Sequence, residues 1–331
     1  MKKILPYLFK NKILSIEVAK SLLLDIGIFN TEQIASLNSI YNMRPISINE
    51  IEGFHQTLLY LYQQINLNDF NAIDIVGTGG SKNTITYTGS FNISTLASFV
   101  VAGTGEKVIK HGNYASSSRT GSANILEMLG YKLTTNVNIL KYVLEKAGIC
   151  FLYNTLFYPS IKQIALIKQR IGTRNILNLL GPLLNPSKNQ YKLIGINNME
   201  IARVYYYYFH KTKIKYSIIH SLDGYDEISL TGPFKCYTSY GEYNYSPKTL
   251  DCLLLHPKDI KVGKSFEENK SLFLEIISGN GTKPKNEAVI VNAAFALGLI
   301  NKEDWGSNYT TAKESLKSGK AKKFLKKLLD N

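Results

Sequence analysis

The spacing of apolar positions changes character near residue 70. Before it the pattern is helical. Apolar residues recur every three or four positions along Ser15-Ile16-Glu17-Val18-Ala19-Lys20-Ser21-Leu22-Leu23-Leu24, with Ser15 as the expected N-cap. Thr31–Leu37 starts a second helix, and Ser47-Ile48-Asn49-Glu50 has the form of a capping box for a third that runs to about Gln64. Asn66–Asp69 is a mostly polar break. From residue 71 short apolar strands alternate with helices. Ala72–Val76, Lys107–Ile109, Ile149–Leu152, Lys192–Ile196 and Tyr216–His220 read as strands, while Phe91–Val101, Ser122–Leu129, Ile161–Ile171 and Glu200–His210 read as helices. Gly181–Pro186 is a rigid turn, residues 225–260 hold short polar β-like runs, and Phe266–Ile277, Lys285–Leu299 and the tail return to helix. This rhythm predicts an α/β fold with a mostly parallel central sheet covered by helices. The expected division is a small all-α domain over 1–68, joined by helices from about 161–185, and a large α/β domain over 71–331.

Composition narrows the class. At 331 residues and 44% hydrophobic content the chain can bury a substantial core. No apolar run reaches the roughly 18–20 residues that span a bilayer. The basic, then apolar, N-terminus is interrupted by Asn11, Lys12 and Glu17 too soon for a secretory signal, so a cytoplasmic protein is expected. Cys150, Cys236 and Cys252 are odd in number and lack metal-ligand spacing, which makes them packing residues. The net charge of +14 invites a nucleic-acid reading, but lysine supplies 34 of the 39 cationic residues. Arginine is the preferred reader of bases and phosphates, because its planar fork binds bidentately. Scattered lysine is compositional, and the basic Lys317–Lys327 stretch reads as one solvated helix face.

Candidate chemistry gathers at four places. Asp74-Ile75-Val76-Gly77-Thr78-Gly79-Gly80 ends a strand in a glycine turn, where backbone N–H groups can approach a phosphate without an intervening Cβ. Phe91-Asn92-Ile93-Ser94-Thr95 opens a helix that Asn92 or Ser94 can cap, with its N-terminal dipole favouring anions. Lys110-His111-Gly112-Asn113 and Asp223-Gly224-Tyr225-Asp226-Glu227 each follow a predicted strand, so both should reach the carboxyl edge of the sheet. Adjacent carboxylates at Asp226 and Glu227 beside a phosphate site suggest Mg2+. His55, His210, His220 and His256 carry no such context.

These motifs, with Ser117-Ser118, Gly121-Ser122-Ala123 and Asn178–Pro186, closely resemble the anthranilate phosphoribosyltransferases from the N-terminal helices to about Leu299. The resemblance implies a nucleoside-phosphorylase-like fold, with phosphoribosyl diphosphate (PRPP) in the cleft between a helical and an α/β domain. It also implies a homodimer formed through the helical domain. The implied reaction transfers phosphoribosyl from PRPP to the amine of anthranilate, with Mg2+ as cofactor and pyrophosphate released, in tryptophan biosynthesis. By position, Gly77, Thr78, Gly79, Gly80, Asn92, Ser94, Thr95, Lys110 and Ser118 would hold PRPP. Ser94, Asp226 and Glu227 would bind Mg2+, and Lys110 and His111 would be catalytic. His111, Gly112 and Asn113 would line the acceptor side, with Gly77, Asn113 and Lys168 contacting anthranilate.

The sequence departs from the family pattern in four places. Ser81 replaces an aspartate, about five extra residues lie within 83–90, Tyr158 replaces a histidine, and Lys168 stands where an arginine would pair bidentately with a carboxylate. The competing readings are another aromatic acceptor, a weakly active homologue, a nucleoside phosphorylase of the same fold, or a nucleic-acid-binding relative.

Overall fold

The computed structural model describes residues 1, 3–62, 65–79, 89–114, 120–158 and 179–330. The N-terminal segment folds as helices α1 (Ile4–Phe9), α2 (Ile16–Leu24), α3 (Thr31–Met43) and α4 (Ile48–Leu61). Capping works as the sequence predicts. Ser15 accepts from Val18 N–H, and Ser47 and Glu50 close a reciprocal capping box. Glu50 does more than cap. Its buried carboxylate also accepts from Leu14 N–H (3.2 Å) and Arg44 Nη1 (3.0 Å), tying α4 to the two segments that precede α2 and itself.

Seven strands form one sheet: β1 (Ile73–Gly77), β2 (Val108–Gly112), β3 (Ile149–Tyr153), β4 (Tyr191–Gly195), β5 (Lys215–Ser221), β6 (Phe234–Thr238) and β7 (Gly241–Tyr245). Their spatial order is β3-β2-β1-β4-β5-β6-β7. The first five are mutually parallel, and β6 and β7 add antiparallel pairs at one edge. Residues of β1 to β5 are nearly all buried, as expected for parallel strands with helices on both faces. The covering helices are α5 (Ile93–Gly103), α6 (Ser122–Met128), α7 (Val137–Ala147), the single turn α8 (Asn154–Phe157), α9 (Met199–His210), α10 (Phe266–Ile277), α11 (Lys283–Asn301), α12 (Trp305–Lys317) and α13 (Lys320–Leu329). In α13, Ala321, Leu325 and Leu328 are buried while Lys320, Lys322, Lys323 and Lys326 face solvent, the solvated basic face that the lysine pattern predicts. No described helix is long and apolar enough to cross a membrane.

Three local expectations need correction. The second strand does not end at Ile109. It continues through Lys110, His111 and Gly112, because these residues pair with Phe151, Leu152 and Tyr153 of β3. Helix α7 fills a stretch that the periodicity left unassigned, capped by Asn136 and stopped by Gly148 at φ 67°. Neither Asn92 nor Ser94 caps α5 through its side chain. Asn92 occupies the N-cap position, but its amide donates to Thr120 O (3.0 Å) instead. The expected helix over 161–171 lies outside the described residues.

Close helix approach in the N-terminal segment rests on Gly53. A Cβ there would lie 2.5 Å from Ile16 O and 2.7 Å from Ala19 Cβ. Gly53→Ala should therefore force α2 and α4 apart and destabilise by about 1–3 kcal/mol. Gly27→Ala, whose Cβ would enter open space, is the control. Equal urea midpoints for the two variants would refute this packing argument.

Candidate active site

The strand order reverses between β1 and β4, and a parallel sheet opens its ligand crevice at the carboxyl ends of such a pair. The final paired residues there are Gly77 and Gly195. The Asp223–Ser229 loop lies across both, and its backbone leaves no room for a side chain at Gly195. A Cβ on Gly77 would come within 2.7 Å of Asp226 Oδ2, and one on Gly195 within 1.6 Å of Asp226 O. The loop is pinned from behind by Asn292 of α11. Its side chain accepts from Ile228 N–H (3.1 Å) and donates to Ile228 O (2.9 Å).

From this seat Asp226 Oδ2 accepts from Gly79 N–H (2.8 Å) and the Thr78 hydroxyl (3.3 Å). Glu227 Oε2 accepts from the Ser90 hydroxyl (2.6 Å). Ser90 is itself fixed by antiparallel pairing with Lys261, flanked by bonds from Val262 N–H to Gly89 O and from Phe91 N–H to Ile260 O. Ile75, Ser94, Gly195, Asp226, Glu227 and Asn292 share the lining of one narrow cavity. Lys110 reaches toward it from β2, its ammonium donating to Ile75 O and approaching Ser94 Oγ at 3.5 Å.

Charge is confined here. Burial pulls Lys110 down to about 8, against the opposing pull of Asp74 and Glu227. Desolvation and then the adjacent Asp226 push Glu227 up to about 8, although the Ser90 hydrogen bond and the Lys110 charge work the other way. Beneath them Asp74 is fully buried. Burial alone would raise Asp74, but the charge and hydrogen bonding of His111, with Lys192 and Lys110, hold it at about 2. Two carboxyls crowded together, one of them held neutral, fit a divalent cation. Among the described residues no group of three or more His, Cys, Asp or Glu side chains gathers. The side chains that could hold such an ion are the Asp226 and Glu227 carboxyls and the Ser94 hydroxyl, a sparse set that leaves room for phosphate oxygens around Mg2+.

The structure brings Gly77, Thr78, Gly79, Ser94, Lys110, Asp226 and Glu227 to one edge of the sheet. Asn92 flanks this edge and Asn113 lies exposed beyond β2, accepting from the Thr155 hydroxyl at 3.5 Å. Thr95 is buried within α5. His111 is also buried, with both ring nitrogens facing oxygen atoms. Tyr158 is buried, its hydroxyl donating to Leu184 O (3.3 Å) and its ring 5.5 Å from that of Tyr62. Gly80, Ser81, Ser118, Lys168 and the extra residues 83–88 lie outside the described residues. Sequence reasoning missed Gly195, Ser90, Asn292 and Lys192. Gly195 ends its strand as Gly77 does, and that parallel is the one signal available.

Residues 69–322 match the family model described as the a/b domain of the glycosyl transferase family, the class that this sheet and crevice define. The chain is 44% identical over 331 residues to the anthranilate phosphoribosyltransferase of Flavobacterium johnsoniae, covering 99% of this chain and 98% of that protein. It is 40% identical over 334 residues to that of Bacteroides thetaiotaomicron, covering 100% and 99%. Its structure matches the anthranilate phosphoribosyltransferase (TrpD) of Thermus thermophilus with a TM-score of 0.87, at 27% identity and 98% coverage of each chain. The Saccharomyces cerevisiae enzyme in complex with PRPP and Mg shares the fold, with a TM-score of 0.82 at 23% identity, covering 95% of this chain and 90% of that one. The chain belongs to the anthranilate phosphoribosyltransferase family.

The Glu227 carboxyl has a folded pKa of about 8 against an ordinary 4.5. Its neutral form therefore stabilises the ligand-free fold fully below 4.5, and that contribution is lost as pH rises through about 8. Urea melts of the wild type should show this loss between those limits, and Glu227→Gln should lack it. Equal pH slopes in the two proteins would mean that Glu227 is not held neutral.

Proposed function

We propose that this chain transfers the phosphoribosyl group of PRPP to the amine of anthranilate and releases pyrophosphate, the step that feeds tryptophan biosynthesis. One observation carries the reading. The Lys110 ammonium, the Ser94 hydroxyl and the Asp226–Glu227 pair converge at the switch point of a chain 44% identical to an anthranilate phosphoribosyltransferase. Breaking the anomeric C–O bond leaves positive character on ribose and negative charge on diphosphate. Lys110, buried yet cationic at neutral pH, places its charge where the leaving group develops. Gly77–Gly80 and Asn92 would hold the diphosphate and ribose. Ser94, Asp226 and Glu227 would hold Mg2+, which when bound supplies charge neutralisation for the diphosphate. The acceptor is an aromatic amine, unprotonated at neutral pH, so the site needs no strong base. Orientation by Gly77, Asn113 and Lys168 would contribute through proximity.

A homodimer through the helical domain suits the surface of residues 1–61. Phe9 is 64% exposed and Ile28 81% exposed, in a segment that also exposes Tyr7, Ile13, Leu24 and Met43. The division into a helical domain and an α/β domain, and a cytoplasmic location, complete the reading.

Mixing the protein with PRPP and Mg2+ should quench anthranilate fluorescence. Lys110→Ala should lower the rate by at least about a hundredfold while leaving the circular dichroism spectrum intact. PRPP binding without turnover would point to a different aromatic acceptor, and no PRPP binding would sink the transferase reading. Light scattering on Phe9→Glu/Ile28→Glu should report a monomer where the wild type reports a dimer. A wild-type monomer at micromolar concentration would refute the dimer.

A further inference from the structure

Asp74 and His111 sit behind the crevice, and both are essentially inaccessible to solvent. Asp74 Oδ1 accepts from the backbone N–H of His111 at 3.3 Å, and Oδ2 lies 2.7 Å from His111 Nδ1. The Lys192 ammonium stands 3.8 Å from the same Oδ2. On the far side of the ring, His111 Nε2 is 2.9 Å from Gly181 O. The imidazole thus spans a buried carboxylate on β1 and the first carbonyl of the turn at Gly181–Leu183. Other bonds hold the chain around this turn. Tyr205 donates to Leu179 O, Tyr158 to Leu184 O, and Asn185 Nδ2 to Ile109 O at 2.9 Å. The His111 bond differs because it fixes the start of the turn to the carboxyl end of β2, two residues before Asn113.

A proton-transferring histidine needs a ring nitrogen open to the reactants. Here Nδ1 lies 2.7 Å and Nε2 2.9 Å from protein oxygens, and the ring is 1% exposed. We propose that Asp74 and His111 are positioning residues. The carboxylate fixes the imidazole, the imidazole fixes the Gly181–Leu183 turn against the end of β2, and the turn sets the acceptor side of the crevice. The second half of this statement rests on the transferase reading given above; the first half does not.

Two amide replacements separate the roles. Asparagine places its polar atoms near Nδ1, so His111→Asn can still meet Asp74 but cannot reach Gly181 O. Glutamine places its amide nitrogen near Nε2, so His111→Gln can still donate to Gly181 O. Within the turn, Leu184 N–H donates to Gly181 O at 3.0 Å and serves as the reporter. Hydrogen exchange of the ligand-free proteins should show Leu184 exchanging at least about tenfold faster in His111→Asn, the effect of one lost buried hydrogen bond. In His111→Gln it should stay within about threefold of wild type. The KM for anthranilate should rise about tenfold in His111→Asn, with the KM for PRPP within about twofold, and His111→Gln should restore it. Asp74→Asn should move the same two quantities in the same direction, and the double variant Asp74→Asn/His111→Asn should be no worse than His111→Asn.

Unchanged Leu184 exchange in His111→Asn would overturn the anchoring role. Loss of kcat in both His111 variants with both KM values unchanged would overturn positioning in favour of proton transfer. A wild type that binds PRPP but does not consume anthranilate would refute anthranilate as the acceptor and overturn the acceptor half with it, while the exchange comparison would still decide the anchoring.

Discussion

Everything at the carboxyl edge of the sheet depends on two adjacent strands ending without side chains. Gly77 and Gly195 are register partners, and the backbone of Asp226 rests against the second of them more closely than any Cβ would allow. This contact is what turns a surface loop into the wall of a crevice. It sets Asp226 over the glycine turn and brings Glu227 alongside Ser90. Asn292, reaching from α11, satisfies the backbone of Ile228 on the other side, so the loop is held between a helix and two strand ends. A methyl group at Gly195 would unseat the carboxylates without touching any of them.

The second constraint is electrostatic. Lys110, Lys192 and His111 all reach into the sheet interior, and Asp74 is the carboxylate that answers them from β1. Removing an ion from water is costly unless a partner and hydrogen bonds replace the solvent. One carboxylate facing two lysines and a histidine joins β1, β2 and β4 in one electrostatic unit. That arrangement keeps the Lys110 charge close to the crevice while its stem is buried.

The fold was largely legible in the sequence, because its alternation of apolar strands and amphipathic helices is regular and its caps are conventional. Ser15 and Ser47 cap where their spacing predicts. What escaped was tertiary in origin. Lys110 and His111 look like the polar residues of a loop, yet they lie in a strand because Ile75 O and Asp74 receive them across the sheet. Asn92 looks like a cap, but its amide is claimed by Thr120 O. The glycine turn, Ser94 and Asp226–Glu227 were readable as a site because glycine and acidic motifs carry local meaning. Gly195, Asn292 and Ser90 were not, since a lone glycine, a helix asparagine and a loop serine acquire their roles only from what is packed against them.

The Asp226 carboxylate already occupies two donors of the glycine turn, Gly79 N–H and the Thr78 hydroxyl. Those donors are therefore never bare, and the turn keeps its shape with no phosphate present. A phosphate that claimed them would have to displace the carboxylate oxygen that now holds them. An anion that left the carboxylate in place would set two negative groups against the same donors.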